Sequence, residues 1–470
     1  TSDEHPWFEE ARKSRHNPYY NYYHWWPAEK GEPPLRLSYF DEEGNAWMYN
    51  KSTDSYYLHY FSRKQPDLNW ENPEVRQEIF DMMRFWFDKG IDGFRMDSIS
   101  LIAKDPSFPL IDSKKYPDIF SFYAKEPRLH LYLHEMNRQV LSKYDCMSVG
   151  EGSAVMVDDV AKFVDPAREE LNMLYHFDAA RIRNTTLPDN PESGIDYSLI
   201  ALKKMFTEWD KAVDKGWPSI YLGNHDQPRM VSRFGSDKDE FRALSAKMLI
   251  TFLLTMRGTP YWFAGDEIGM RNIRFDRIED YNDIDTINRY KKAKAEGKDP
   301  QAVLDEQKET GRDNARTPFQ WDRSPETGFT AGTPWLKVNP DYTWINVADE
   351  EKDPTSILNY FKKVVSFRKE NPSLIYGSYH LLDAENPQSY TFLRKTGADT
   401  YLIMLNFSPK AAISTPGIDM SNAHVLLDNY GDRSHMAPQK DITLRPFEAI
   451  VFQLNHPVYE SFIDSLDLLE

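Results

Sequence analysis

The stretch NPEVRQEIFDMMRFWFDKGIDGFRMD (72–97) decides the fold. Asn72 suits a helix N-cap and Pro73 the first helical position. Val75, Ile79, Met82, Met83 and Trp86 recur at helical spacing, and Gly90 ends the run. A short apolar strand follows and closes on a carboxylate, Asp97. The unit then repeats. A helix through LHLYLHEMNRQVLSKY (129–144) leads to the strand CMSVG (146–150), which ends at Glu151. NMLYHFD (172–178) is a third strand. The helix YSLIALKKMFTEWDKAV (197–213) leads to SIYLGNHD (219–226), and DEFRALSAKMLITFLLTMR (239–257) to TPYWFAGDE (259–267). Alternating strands and helices give a parallel sheet with helices outside it. Five such strands ending in polar residues favour a (β/α)8 barrel over an open doubly wound sheet.

Outward from this core the pattern changes. Residues 1–70 carry little helical period and are rich in Tyr, Trp, Pro and Asn, as in HNPYYNYYHWW (16–26) and DEEGNAWMYN (41–50). They read as a loop-rich subdomain with short strands. Residues 271–340 are a charged insertion, and a helix at TSILNYFKKVVSFRKE (355–370) restores the rhythm. From 375 to 470, SYTFLR, TYLIMLNFS, HVLLDNY and EAIVFQLN are short strands between turns, a C-terminal antiparallel β-sandwich domain. The expected division is 1–70, a barrel portion at 71–374, and 375–470.

The 470 residues carry 57 basic and 74 acidic side chains, a net charge of −17, which argues against nucleic acid and anionic membranes as partners. No apolar run approaches the roughly 20 residues of a membrane span. The one cysteine, Cys146, excludes a disulfide framework and reads as a buried, inert thiol within a strand. No glycine-rich phosphate loop follows any strand, and no cofactor is expected. No signal-peptide pattern opens the sequence, and the expected location is the cytoplasm.

Three acids stand at three strand ends: Asp97, Glu151 and Asp226. In a barrel such ends converge on one mouth. One carboxylate can attack an anomeric carbon, and a second, with raised pKa, can protonate the leaving oxygen. The third can face the oxocarbenium-like transition state. Arg95 lies two residues before Asp97 and shares its side of the strand, and His225 adjoins Asp226. Any one acid alone is more simply an ordinary solvated carboxylate. Three together, with Arg95 and His225 beside them, are not.

GFRMD (93–97), GE (150–151) and NHDQPR (224–229) resemble the strand-end motifs of the α-amylase superfamily, glycoside hydrolase family 13. QPDLNWENPEVR (65–76), SRFG (232–235), RGTPYWFAGDEIGM (257–270) and RDNARTPFQWD (312–322) resemble its oligo-1,6-glucosidase and α-glucosidase group. The resemblance spans essentially the whole chain. It implies a retaining exo-acting α-glucosidase on short oligosaccharides, with Asp97 as nucleophile, Glu151 as acid/base and Asp226 as transition-state stabiliser. Arg95 and His225 match residues that hold the nucleophile and the first glucose. Arg316 matches an arginine that grips the non-reducing end, with Arg312 a weaker candidate. The retaining pair is expected about 5–5.5 Å apart. A sucrose isomerase or transglucosidase, or a trehalose-6-phosphate hydrolase, is the alternative within the family. Non-catalytic glucosidase-like subunits of amino-acid transporters rank low, because this chain keeps all three acids and shows no span.

Departures from the family pattern matter. Calcium-binding amylases carry a histidine four residues after the nucleophile. Leu101 stands there, so no metal is expected at that point. In the resembling group, valine after the nucleophile goes with α-1,6 preference and smaller residues with α-1,4; Ser98 is small, whereas Gln227 and its surroundings look like the α-1,6 group. The linkage is left open between the two. Phe40 and Trp47 are equally suited to stacking on sugar and to packing in a core. His130 and His134, one turn apart, make a weak metal pair. RFDRIEDYNDID (274–285) reads as a solvated face, and the resemblance, which sets this region near the active-site mouth, offers a role in admitting substrate as the lesser alternative. In the resembling family TSDEHPWF follows a VNH segment at the end of the third strand. The first three βα units, ~90–100 residues at the usual barrel spacing, are therefore expected to lie outside this chain. The family's sugar-binding histidine and the aspartate that pairs with Arg316 would go with them. This stretch alone is then expected to show little activity and poor solubility.

Overall fold

A computed structural model describes residues 1–40, 45–112, 114–115, 119–397, 399–418, 420, 423–433 and 440–454. The first four residues of DEEGNAWMYN and the last sixteen of the chain lie outside these. The described chain forms two compact units. The first is residues 1–177, 212–217 and 287–298, and the second is 178–211, 218–286 and 299–470.

In the first unit, Pro6 opens a helix, Pro6–Ala11, capped by the His5 side chain. Strands β1 (Trp25–Pro27), β2 (Trp47–Asn50) and β3 (Ser55–Leu58) form an antiparallel sheet in the order β1-β3-β2. The aromatic excess of this segment is mostly spent on packing, with Phe8 against Tyr23, Trp25 and Tyr57 at centroid distances of 5.0, 6.0 and 5.0 Å. Trp47 is buried and donates to the Pro34 carbonyl, so it belongs to the core. These residues share one unit with the parallel strands that follow.

The helix Pro73–Asp88 begins as the sequence dictates, with the Asn72 side chain accepting from the Glu74 N–H at 2.9 Å. Its buried stripe is Val75, Phe80, Met83 and Phe87. Met82 and Trp86, expected on that stripe, are 43% and 45% exposed. The reason is local: Phe87 rests on Phe94 and Tyr144, which rotates the buried face one position along the helix. Strands β4 (Gly93–Met96), β5 (Met147–Glu151) and β6 (Met173–Tyr175) pair in parallel, in that order. The register sets Arg95 opposite Val149 and Glu151 opposite Tyr175. Gly93 is obligatory here, because a Cβ would sit 2.0 Å from the Met147 carbonyl oxygen. Cys146 precedes β5 rather than lying within it, and it is half-buried. Its Sγ is 3.5 Å from the Leu141 carbonyl oxygen, and burial raises its thiol pKa. A buried ion pair, Lys104 with Asp67 at 2.8 Å, ties the loop after β4 to the segment before the helix.

The second unit holds the parallel pair β7 (Ser219–Ile220) and β8 (Thr259–Pro260). Among the described residues the parallel strands thus number five, the same five legible in the sequence. The helix Arg242–Thr255 is buried along nearly its whole length. An antiparallel domain follows: β9 (Ser378–Leu382), β10 (Ser389–Thr396), β11 (Asp399–Asn406), β12 (Ala412–Ser414), β13 (His424–Asp428), β14 (Ile442–Leu444) and β15 (Ala449–Leu454). Five strands run in the order β13-β15-β11-β10-β9, and β12 pairs with β14. Ile442 and Leu444 of β14 share one core with Leu393, Leu402, Met404, Ile450 and Phe452, so the two sheets face each other across apolar side chains.

Arg368 ties the preceding helices to one another, donating to the carbonyls of Leu254, Met256 and Leu374 at 2.7–2.9 Å, and also to that of Gly258. Two further buried cations join the antiparallel domain to those helices. Arg394 donates to the carbonyls of Leu374 and Gly377, at 2.8 and 2.7 Å, and to Thr255. Lys203, with no exposed surface, donates to the carbonyls of Asp383, Asn386 and Ser389. Replacing Lys203 with methionine keeps the volume but strands three carbonyls, one of them, that of Ser389, buried. The expected loss is about 2–4 kcal/mol of unfolding free energy, read as a lower urea midpoint at unchanged slope.

Candidate active site

Side chains alternate along a strand, so Arg95 and Asp97 emerge on the same side of β4. The Arg95 guanidinium is the hub of the first unit's site. It donates through Nη1 to Asp97, lies 3.1 Å through Nη2 from Glu151 Oε2, and donates through Nε to the Tyr175 hydroxyl at 2.8 Å. The two acids differ sharply in setting. The Asp97 side chain is 75% exposed and that of Glu151 only 7%. Burial raises the Glu151 carboxyl to about 7, assisted by a hydrogen bond with Asp97 and by its charge; the Ser98 N–H and Arg95 oppose the rise. The Ser98 N–H reaches Glu151 Oε2 at 2.7 Å. Burial and the nearby Glu151 raise the Tyr175 hydroxyl pKa.

The second unit gathers another cluster around Asp226. His225 Nε2 lies 3.1 Å from Asp226 Oδ2, and Arg316 donates to Asp226 Oδ1 at 2.7 Å and to the His225 carbonyl at 2.8 Å. Arg312 also reaches Asp226 Oδ1, at 3.3 Å. Burial alone would raise the Asp226 carboxyl, but His225, Arg312 and Arg316 outweigh it and hold the group at about 2. Asp226 is therefore an anion at any working pH. Its own turn is fixed by the Asn224 side chain, which accepts from the Asp226 N–H at 2.8 Å.

Asp283 is the residue sequence reasoning missed. The stretch 274–285 is not simply a solvated face: Phe275, Tyr281 and Asp283 are buried. Asp283 pairs with Arg312 and lies 3.7 Å from Arg316, so both arginines bridge two carboxylates. An acid in an acidic run gives no local signal of burial, and only the paired arginines 29 and 33 residues on hint at it. Arg312, the weaker of the two arginine candidates, is as much part of the cluster as Arg316.

Phe40 stands in an aromatic group with Tyr39, Phe61 and Phe120 in the first unit. His130 and His134 are spent on stitching their helix to a loop, at 2.8 Å from Glu170 and 3.1 Å from the Arg168 carbonyl. Among the described residues no group of three or more His, Cys, Asp or Glu is placed to hold a metal ion. No described helix is long and apolar enough to cross a membrane.

Adjacent parallel strands closing on two carboxyls, one exposed and one buried, suit the paired-acid chemistry of a glycoside hydrolase. Comparison with known proteins places the chain more closely. It belongs to the alpha-amylase family, whose catalytic-domain model matches residues 1–377. The fold is accordingly the (β/α)8-barrel class with an antiparallel C-terminal domain. The oligo-1,6-glucosidase of Parageobacillus thermoglucosidasius is 48% identical over 97% of this chain and 82% of its own length. The trehalose-6-phosphate hydrolase of Bacillus subtilis is 39% identical over 97% of this chain and 81% of its own length. Among solved structures, the isomaltulose synthase SmuA from Protaminobacter rubrum superposes with a TM-score of 0.90 at 38% identity, covering 97% of this chain and 81% of its own.

Proposed function

We propose that this is a retaining, exo-acting α-glucosidase that hydrolyses α-1,6 and/or α-1,4 bonds of short oligosaccharides. The observation that carries the reading is the Asp97–Arg95–Glu151 arrangement, an exposed carboxyl and a buried, proton-holding one on a single guanidinium. Asp97 attacks the anomeric carbon while Glu151 gives its proton to the departing glycosidic oxygen. The aglycone leaves as an alcohol and a glucosyl ester forms on Asp97. Glu151, now a carboxylate, takes a proton from water, and the water oxygen displaces Asp97 from the sugar. The family resemblance assigns Asp226 the support of the positive charge that develops during the reaction. Arg95 orients Asp97, His225 donates to sugar hydroxyls, and Arg316 grips the non-reducing end. Phe40 offers an apolar face to a sugar ring.

The same covalent step serves transfer to a sugar in place of water, and the likeness to isomaltulose synthase keeps that reading beside the first. Product analysis of the full-length enzyme with maltose, isomaltose, sucrose and trehalose 6-phosphate separates them. The expected result is single glucose released first as the α-anomer, seen by proton NMR, with no rapid loss of viscosity in starch. β-Glucose as the first product overturns retention. An isomeric disaccharide from sucrose with little free glucose replaces hydrolysis by isomerisation.

A further inference from the structure

We propose that Ser98 is a positioning residue: its peptide N–H, presented by a left-handed turn, holds Glu151 and sets how tightly that carboxyl keeps its proton. The inference rests on the acid/base reading of Glu151 given above.

The geometry is unusual at one point. Ser98 has φ 44° and ψ 34°, a region that residues with a Cβ seldom adopt. The turn carries the chain off β4 directly after Asp97. The peptide between Asp97 and Ser98 then lies across the strand end, and its N–H meets Glu151 Oε2 at 2.7 Å. A strained conformation persists only where its surroundings over-determine it, and here they do. The Leu101 N–H donates back to the Ser98 carbonyl at 2.9 Å, and the buried Lys104 ammonium donates to the Leu101 carbonyl at 2.6 Å. The Ser100 hydroxyl donates to the Ser153 carbonyl at 2.9 Å, fastening this turn to the loop after Glu151. Ile99 packs where Gly150 leaves room, since a Cβ on Gly150 would come within 2.8 Å of it.

The groups facing Glu151 are few. Arg95 and Asp97 come from β4 and Tyr175 from β6. Arg95 favours the ionised carboxyl, whereas Asp97 and burial favour the neutral one. The Ser98 N–H bonds better to the carboxylate than to the acid, so it pulls the balance toward ionisation. Loss of that bond raises the proton affinity of Glu151.

The test separates backbone from side chain in the full-length enzyme. Ser98→Gly removes the hydroxyl but favours the left-handed turn. Ser98→Pro removes the hydroxyl and the N–H itself, and its ring holds φ at about −65°. The Glu151 carboxyl is titrated by NMR of labelled glutamate, its signal assigned by its absence in Glu151→Gln. The glycine variant is expected to titrate as the parent does. The proline variant is expected to titrate about 0.5–1 pH unit higher, with the basic limb of kcat/KM moving equally. If the proline variant fails to fold, Ser100→Ala, which removes one fastening, is expected to shift the titration in the same direction by a smaller amount. A folded proline variant that titrates like the parent overturns the proposal, and so does a glycine variant shifted as far as proline. A carboxyl titration that moves while the basic limb stays put supports the positioning role and overturns the acid/base role of Glu151.

Discussion

Replacing Asp97 with asparagine is expected to lower kcat by about four orders of magnitude or more, with the fold intact. The side chain is largely exposed and its ionic partner is Arg95, which keeps Glu151 when Asp97 is neutral. Little burial is lost, so thermal unfolding should change only slightly. The substitution has a second consequence. Asp97 is one of the causes that hold the Glu151 proton to about 7, and its charge disappears in the variant. Glu151 should then titrate lower, moving the residual activity's basic limb toward acid. Unaltered turnover in a purified, correctly folded variant rules out Asp97 as the attacking group.

Glu151→Gln is the second large effect. General acid assistance is worth about 10²–10⁴-fold, so kcat on isomaltose or maltose should fall by that factor. The first step with an aryl glucoside, whose leaving oxygen needs no proton, should suffer far less. The pH profile supplies the sign. In the parent the acid form is required, so activity falls as pH rises through about 7. The glutamine variant should lose that limb. Stability follows the same linkage. The folded pKa lies above the ordinary value of 4.5, so the contribution is fully present below about 4.5 and is lost as pH climbs through about 7. Melting curves at pH 4 and pH 8 should therefore show the variant gaining on the parent at the higher pH. An unchanged gap counts against a buried, proton-holding Glu151.

Much of this was legible in the sequence because it depends on short-range pattern. Strand after helix points to Asp97 and Glu151 at strand ends and to Arg95 by two-residue spacing; Asp226 stands in the loop six residues past Ile220, where β7 stops, and not at the strand end itself. What stayed hidden depends on contacts distant in sequence or on backbone conformation. Asp283 sits in a run that looks solvated, and only Arg312 and Arg316 explain its burial. Ser98 is no marker of a left-handed turn, as glycine or asparagine would be. The buried face of the helix Pro73–Asp88 is decided by the packing of Phe80 and Phe87, and periodicity alone fits Met82 and Trp86 about as well.

The change from helices to antiparallel strands near residue 375 looks like a place where two modules meet. Arg394 and Lys203 say otherwise. The Arg394 guanidinium, on β10, takes the carbonyls of Thr255 and Leu374 from the helical side, and Lys203, on a helix, takes those of Asp383, Asn386 and Ser389 from the strand side. Separating the strands from the helices would take these acceptors from two buried cations. The boundary is therefore a change in architecture without autonomy on either side. A gene cut there would yield no freely exchangeable parts, and selection acts on the helices and the C-terminal sheet of this unit as one inherited piece.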